Sequence, residues 1–478
     1  MKQRISVILI MIVSIIILYL IGHTILAPHK QDNTILPCVD NPEIIYSDAV
    51  SKIDSYKDIT LSIRLTEEFK IGGSIFQQLS YKTVNYDTQE SGIPYIQMHE
   101  TQHSGTHIIE IVETFANDTI YLTVNDTPFT SECNVEDYMR SQIPAIILSS
   151  ELYNCMEAVD TGSDYAITFS NPISAEEWVK DFPITLLDAK GVAYVGYDGA
   201  LTRSTYSASY MIDEITFSIS ADVSINYDSI KIVLPIDASS YTPISDWQAP
   251  KHLERACGYL IQAKEISASY SDSIYFEAMG DQREKNIMLH AAFDDEWSVF
   301  VSTDITTKNE TKLDQVLRLN KKEVFLDGQY LTSNNGEILI TDSSVTVDAI
   351  YNYFQDQLVS TIILPQHIQT AECAESNGII RFSFNGTDSF GSFLVENAFQ
   401  LLYNNPIFMT ETGLEFSTQK LTCYLDIDPK TGLPLASGIN YAGNYTTEGL
   451  PYSLNYRADQ TYLIPSSNAL TEIEKAAD

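Results

Sequence analysis

Along most of the chain, apolar and polar residues alternate in runs of eight to twelve, the period of strands with one buried face. "GSIFQQLSYKTV" (73–84), "HIIEIVETF" (107–115) and "DTIYLTVND" (118–126) follow this pattern, as do "KNIMLHAAF" (285–293), "WSVFVSTDI" (297–305) and "KEVFLDGQYL" (322–331). Helical spacing interrupts it at intervals. "YSDAVSKIDSYKDITLSIRL" (46–65) and "HLERACGYLIQAKEISASYS" (252–271) each read as a helix running into a strand. "NVEDYMRSQIPAIILSSELY" (134–153) predicts a helix kinked at Pro144, and "TVDAIYNYFQDQLVSTIIL" (346–364) a longer one. A further helix starts at Ser174, where Ser174 and Glu177 form a capping box, and ends at Pro183; another spans 388–403.

The first residues follow another rule. Lys2 and Arg4 precede an apolar run from Ile5 to Gly22, long enough to span a bilayer, with the charge placed for a cytoplasmic N-terminus. A cleaved signal peptide is the rival reading, although Ile25-Leu26-Ala27 makes a poor cleavage site. The expectation is a single-pass cell-membrane protein, anchored by residues 1–27, with its bulk extracytoplasmic.

The chain also repeats itself. "SASYMIDEITFSISADVSINY" (207–227) lies against "LTCYLDIDPKTGLPLASGINY" (421–441), and "YAITFSN" (165–171) against "IIRFSFN" (379–385). The predicted organisation is an anchor at 1–27, a linker at 28–42, a unit at 43–240, a linker at 241–251, a unit at 252–468 and a tail at 469–478. Each unit is α+β: a curved antiparallel sheet with helices packed on one face.

That order, with "DIDPKTGLP" (426–434), resembles the bacterial lipoprotein carriers of the LolA, LppX and LprG type, whose domains carry a similar D-x-x-T-G-L-P late in the chain. The first unit reads "IDEITFSIS" and lacks the Gly and Pro of that motif. The resemblance implies two tandem open half-barrels, each with a cavity for acyl chains or other apolar ligands between sheet and helices.

Composition narrows the partners. With 28 basic against 64 acidic residues the formal charge is -36, which argues against nucleic acid and against attraction to anionic headgroups. Six cysteines, none in a C-x-x-C pair, suit disulfides in an exported chain better than a thiolate metal site. Cys133 and Cys155 flank a predicted helix, and Cys373 and Cys423 lie on strands read as potential neighbours; these are the candidate bridges. Sequons at Asn117, Asn125, Asn309, Asn385 and Asn444 matter only in a glycosylating host.

The sharpest chemical motif is His99-Glu100-Thr101-Gln102-His103, an H-E-x-x-H, with His107 four residues on. On a helix the two histidines could share a zinc ion and Glu100 could activate its water. On a strand, positions i and i+4 lie about 13 Å apart and cannot share one ion. "HSGT" between two β-rich runs reads as a hairpin turn, so the strand is expected, and His99, His103 and His107 are remote metal candidates. Asp426-Ile427-Asp428 is read as a strand end and turn, and Glu67-Glu68 and Asp294-Asp295-Glu296 as solvated carboxylates. No catalytic set and no cofactor is implied. The leading expectation is a membrane-anchored, non-enzymatic protein that binds a lipid, lipoprotein segment or other apolar ligand. The alternatives are an envelope sensory or protein-interaction module and, remotely, a zinc hydrolase through His99, Glu100 and His103; any protein partner is unknown.

Overall fold

The structure is a computed structural model. It describes residues 38–477 apart from 54–55, 57, 89–93, 136, 139–152, 173–183, 229–230, 236–237, 278–279, 295, 310–316, 327, 341–362, 395–414 and 448–449. Two compact units divide it, one reaching Thr242 and the other running from Pro243 to Asp478, with the turn Gly72–Ser74 grouped with the second.

The first unit opens with β1 (Cys38–Val39) and helix α1 (Pro42–Ile53). Six strands follow: β2 (Asp58–Ile71), β3 (Ser74–Thr88), β4 (Pro94–Ser104), β5 (His107–Ala116), β6 (Thr119–Val124) and β7 (Thr127–Glu132). Five more are β8 (Tyr153–Asp160), β9 (Asp164–Pro172), β10 (Ile184–Gly196), β11 (Leu201–Ile212) and β12 (Ile215–Asn226). After β13 (Thr242–Pro243) comes helix α2 (Ala249–Gln262). The second unit then builds β14 (Glu265–Phe276), β15 (Asp281–Phe293), β16 (Trp297–Asn309), β17 (Leu317–Leu326), β18 (Gln329–Asn334) and β19 (Glu337–Ile340). It closes with β20 (Ile368–Ser376), β21 (Ile379–Gly386), β22 (Glu415–Ile427), β23 (Pro434–Thr447), β24 (Leu450–Leu463) and helix α3 (Ala469–Ala477).

Each unit is one antiparallel sheet. The first has the order β1-β8-β9-β10-β11-β12-β2-β3-β4-β5-β6-β7-β13, and the second β20-β21-β22-β23-β24-β14-β15-β16-β17-β18-β19. Without the two-residue strands β1 and β13 the orders are the same: six strands in sequence, then five whose last returns to pair with the first. Leu61 on β2 meets Ile225 on β12, and Tyr270 on β14 meets Gln460 on β24.

Local sequence explains the hairpins. Asn117-Asp118, Asn125-Asp126, Asn335-Gly336 and Asn377-Gly378 all have both residues at positive φ, the two-residue turn whose twist matches paired strands. Two of the sequon asparagines therefore serve as turn residues. At the end of β22, Asp428 Oδ1 accepts from the backbone of Lys430 (2.9 Å) and Thr431 (2.8 Å) and from Thr431 Oγ1 (2.9 Å), while Gly432 takes φ +73°. "DPKTG" is a turn held by its own aspartate.

Among the described residues the helices are few. α1 buries Tyr46, which meets Phe169 edge-on at 4.9 Å, and Ala49. α2 buries Leu253, Ala256, Cys257 and Leu260 at helical spacing, and its His252 stacks on Phe382 at 4.9 Å. α3 packs Ala469 and Ile473 against Ala292, Phe300 and Val324.

Several expectations are overturned. The α+β class gives way to a predominantly β architecture, because each unit's strands are longer, more numerous and paired without a break through both halves. Of the predicted inserted helices, residues 388–394 are helical; those at 174–183 and most of those at 134–153 and 346–364 lie outside the described residues. The expected tail at 469–478 is instead largely the packed helix α3. The single-pass anchor, and the membrane localisation built on it, find no support: among the described residues no helix is long and apolar enough to cross a membrane, and residues 1–27 lie outside them.

The repeat is also out of step by one strand. Residues 207–227 belong to β11–β12, whose counterparts by strand order are β23–β24, whereas 421–441 belong to β22–β23. The match of 165–171 with 379–385 does fall on equivalent strands, β9 and β21.

Candidate functional site

The H-E-x-x-H segment is β4. His99 pairs with Thr83 and Val112, and the turn at Gly105 (φ +62°) leads into β5 at His107. Alternation exposes His99, while Met98, Glu100, Gln102 and Ser104 are buried on the opposite face. At about 3.3 Å per residue, His99 and His103 are about 13 Å apart, and the glutamate points away from both. The zinc-hydrolase alternative fails on this geometry. Among the described residues no cluster of His, Cys, Asp or Glu could hold a metal ion.

Glu100 belongs instead to a buried polar group on the inner face of the first sheet. Lys82, its cross-strand partner, approaches it at 3.0 Å, and Gln102 Nε2 donates to it at 2.8 Å. Glu113, fully buried on β5, accepts from Tyr138 Oη at 3.2 Å, and the Tyr138 ring stacks on Phe115 at 4.8 Å. Burial and Glu113 hold the Tyr138 hydroxyl well above its ordinary range. Glu67 is not a solvated strand end: its charge, after burial, helps raise the hydroxyls of Tyr206 and Tyr210. Ile63, Leu65, Val84, Ile96, Met98, Ile109 and Ile111 surround these groups. Gln78 Nε2 and Tyr86 Oη are buried there without a hydrogen-bond partner.

The inner face of the second sheet has its own polar group, on the first hairpin and the closing strand. Asp272 on β14 accepts from Arg283 Nη2 at 2.7 Å, with side-chain exposures of 1% and 3%. Tyr270 Oη donates to the same carboxylate at 2.8 Å and lies 3.3 Å from Tyr456 Oη. Burial pushes the Tyr456 hydroxyl up to about 12. Lys285, opposite Asp272 in the register, sits 5.6 Å from the centre of the Tyr270 ring. Ile274, Leu289, Val301, Leu454 and Ala458 supply the apolar surround, and Arg283 Nε has no hydrogen-bond partner among the described residues.

The opposite face of the second sheet carries an open polar cleft of about 470 Å³. Arg381 grips Asp426 through two bonds of 2.6 Å and lies 4.4 Å above the Tyr424 ring. Tyr424 Oη donates to Asp459 at 3.1 Å, and Arg457 Nε meets the same carboxylate at 2.6 Å. The Tyr424 ring lies across Gly438, where a Cβ would collide with it. Asp426 of the D-x-D is therefore an ion-pair partner and Asp428 a turn residue.

The candidate disulfides do not form. Cys133, Cys155, Cys257, Cys373 and Cys423 carry no disulfide. Cys373 faces Phe382 across β20–β21 and Cys423 faces Phe384 across β21–β22, so a whole strand separates them. Two strand spacings come to about 9.5 Å, beyond the reach of a bridge. Cys133 follows β7 near one edge of the first sheet and Cys155 lies on β8 near the other.

Sequence reasoning missed both inner clusters, since charged residues in alternating strands read as solvent-facing. The one available signal was parity: Glu100 shares its face with Ile96 and Met98, and Asp272 with Ala268 and Ile274.

No protein-family profile matches the chain, and no curated protein matches it. Among solved structures it is similar to LprF from Mycobacterium bovis, at 9% identity over 41% of this chain and 97% of that one, with a TM-score of 0.25. A DUF1329 family protein from Desulfovibrio piger is similar at 13% identity over 42% and 98%, with a TM-score of 0.18. Kievitone hydratase from Nectria haematococca matches at 9% identity over 93% and 99%, with a TM-score of 0.14. At such TM-scores these similarities fix neither fold nor function.

Proposed function

We propose that this chain is a non-enzymatic binding protein that holds a lipid or other largely apolar ligand against the inner faces of its sheets. The observation that carries this reading is the same in both units. A broad apolar sheet face surrounds polar groups whose hydrogen bonding is incomplete among the described residues, with Gln78 Nε2 and Tyr86 Oη in the first and Arg283 Nε in the second. An orphaned buried polar atom costs about 1–3 kcal/mol, so such atoms are uncommon unless something completes them. A ligand with an apolar body and a few polar atoms would fit both properties of the face. The open cleft around Arg381 and Tyr424 is a poorer candidate, because its charged groups already satisfy one another.

Mass spectrometry of solvent extracts from the purified full chain tests the proposal. A lipid-like compound released near stoichiometrically is the expected result. A chain that carries nothing, and takes up no hydrophobic fluorescent probe, would sink it.

A further inference from the structure

Among its described side chains, the second unit's inner cluster carries more positive than negative charge. Asp272 is its carboxylate, and both oxygens are engaged, Oδ1 by Arg283 Nη2 and Oδ2 by Tyr270 Oη. Lys285 stands directly across from Asp272 and, among the described residues, makes no ion pair; its ammonium lies 5.6 Å from the centre of the Tyr270 ring, within the field of both Asp272 and Arg283. Burial pulls that ammonium below the ordinary lysine range. The register puts Lys321 and Glu323 on the same face, and they form their own pair at 2.7 Å, adding no net charge. Among the side chains described around Asp272, two cations therefore stand against one carboxylate, together with a guanidinium Nε for which no acceptor is described.

Both features are unfavourable in isolation. A desolvated cation without a counter-ion is costly, and so is a buried donor left unpaired. One anion placed beside Arg283 and Lys285 would remove both faults. The first unit makes no such demand, since Lys82 is matched by Glu100 and the same face also holds Glu67 and Glu113.

We infer that the second unit binds the anionic head of an amphipathic ligand, a carboxylate or a phosphate ester, with Arg283 Nε and Lys285 Nζ as its donors. The inference rests on the binding reading above and adds the head-group class and the unit that selects it. Asp272 and Tyr270 hold the Arg283 fork in place, and the apolar surround receives the chain of the ligand.

The test is a calorimetric titration of the delipidated full chain with oleate, with oleoyl lysophosphatidate and with oleyl alcohol. At least one of the two acids should bind about ten- to a hundredfold more tightly than the alcohol, and the tighter acid identifies the head group. Lys285→Met should abolish that advantage, and Arg457→Ala, on the opposite face of the sheet, should preserve it. Because Lys285 has no ion-pair partner among the described residues, its removal should not unfold the chain; circular dichroism and a second variant, Lys285→Gln, check this. Acids that bind no better than the alcohol, or an advantage that survives both Lys285 variants, would overturn the head-group inference and leave the binding reading intact. Failure of all three ligands to bind would defeat both.

Discussion

The two units share a strand order but not an interior. The first pairs Lys82 with Glu100 on a face that also holds Glu67 and Glu113; the second buries Arg283 against Asp272, the one carboxylate described there, with the half-buried Lys285 opposite. The clusters also spread differently from the equivalent first hairpins: one runs over β2–β5, while the other sits on β14–β15 and reaches β24, the strand that closes the sheet. Backbone pairing therefore constrains which positions face inward and leaves their chemistry free. A repeated sheet can hold two different polar interiors without changing a strand.

The comparison can be broken most directly at the ion pairs. Asp272→Asn leaves Arg283 charged, buried and without a counter-ion, and should cost about 3–5 kcal/mol in urea denaturation. Glu100→Gln should cost less, about 1–2 kcal/mol, because Lys82 is 18% exposed and can turn toward water. Equal losses would mean that the two clusters are energetically alike.

A smaller effect should separate the faces of the second sheet. Gly438→Ala forces Tyr424 off the strand and weakens its contacts with Arg381 and Asp459, which should cost about 1–3 kcal/mol. Inner-face ligand binding should be unaffected.

Next comes a pH effect confined to the second unit. Burial holds His252 down at about 3, whereas an unfolded histidine titrates near 6.5. Between those values the unfolded chain binds the extra proton, so this contribution is complete above about pH 6.5 and is lost as the pH falls toward 3. His252→Phe should gain on the wild type as the pH drops from 7 to 4. A stability difference independent of pH would contradict the burial of that ring. The smallest effect belongs to Arg457→Ala: its pair with Asp459 is largely solvent-exposed, and no measurable change in stability is expected.

Much of the local structure was legible in the sequence. The strand character of residues 94–104, the hairpin at "HSGT" and the turn in "DPKTG" follow from alternation and turn chemistry. Strand order was not legible, because alternation has the same period in every hairpin and one hairpin imitates the next. That is how 207–227 came to match 421–441 one strand too early. The inner clusters were hidden for a related reason: alternation says that Glu100 and Met98 share a face, but not that the face is covered. The Cys373–Cys423 pairing failed because β21 intervenes, a fact of sheet order that spacing does not carry.

The closing pairs β2–β12 and β14–β24 have a consequence during synthesis. Leu61 cannot meet Ile225 until the ribosome has made everything between them, which at ordinary elongation rates takes roughly ten to thirty seconds. Through that interval β2 is an open edge with unpaired backbone groups, and β14 repeats the exposure when its turn comes. The newborn chain is most open to aggregation in those two windows, and a holding chaperone would be most useful there.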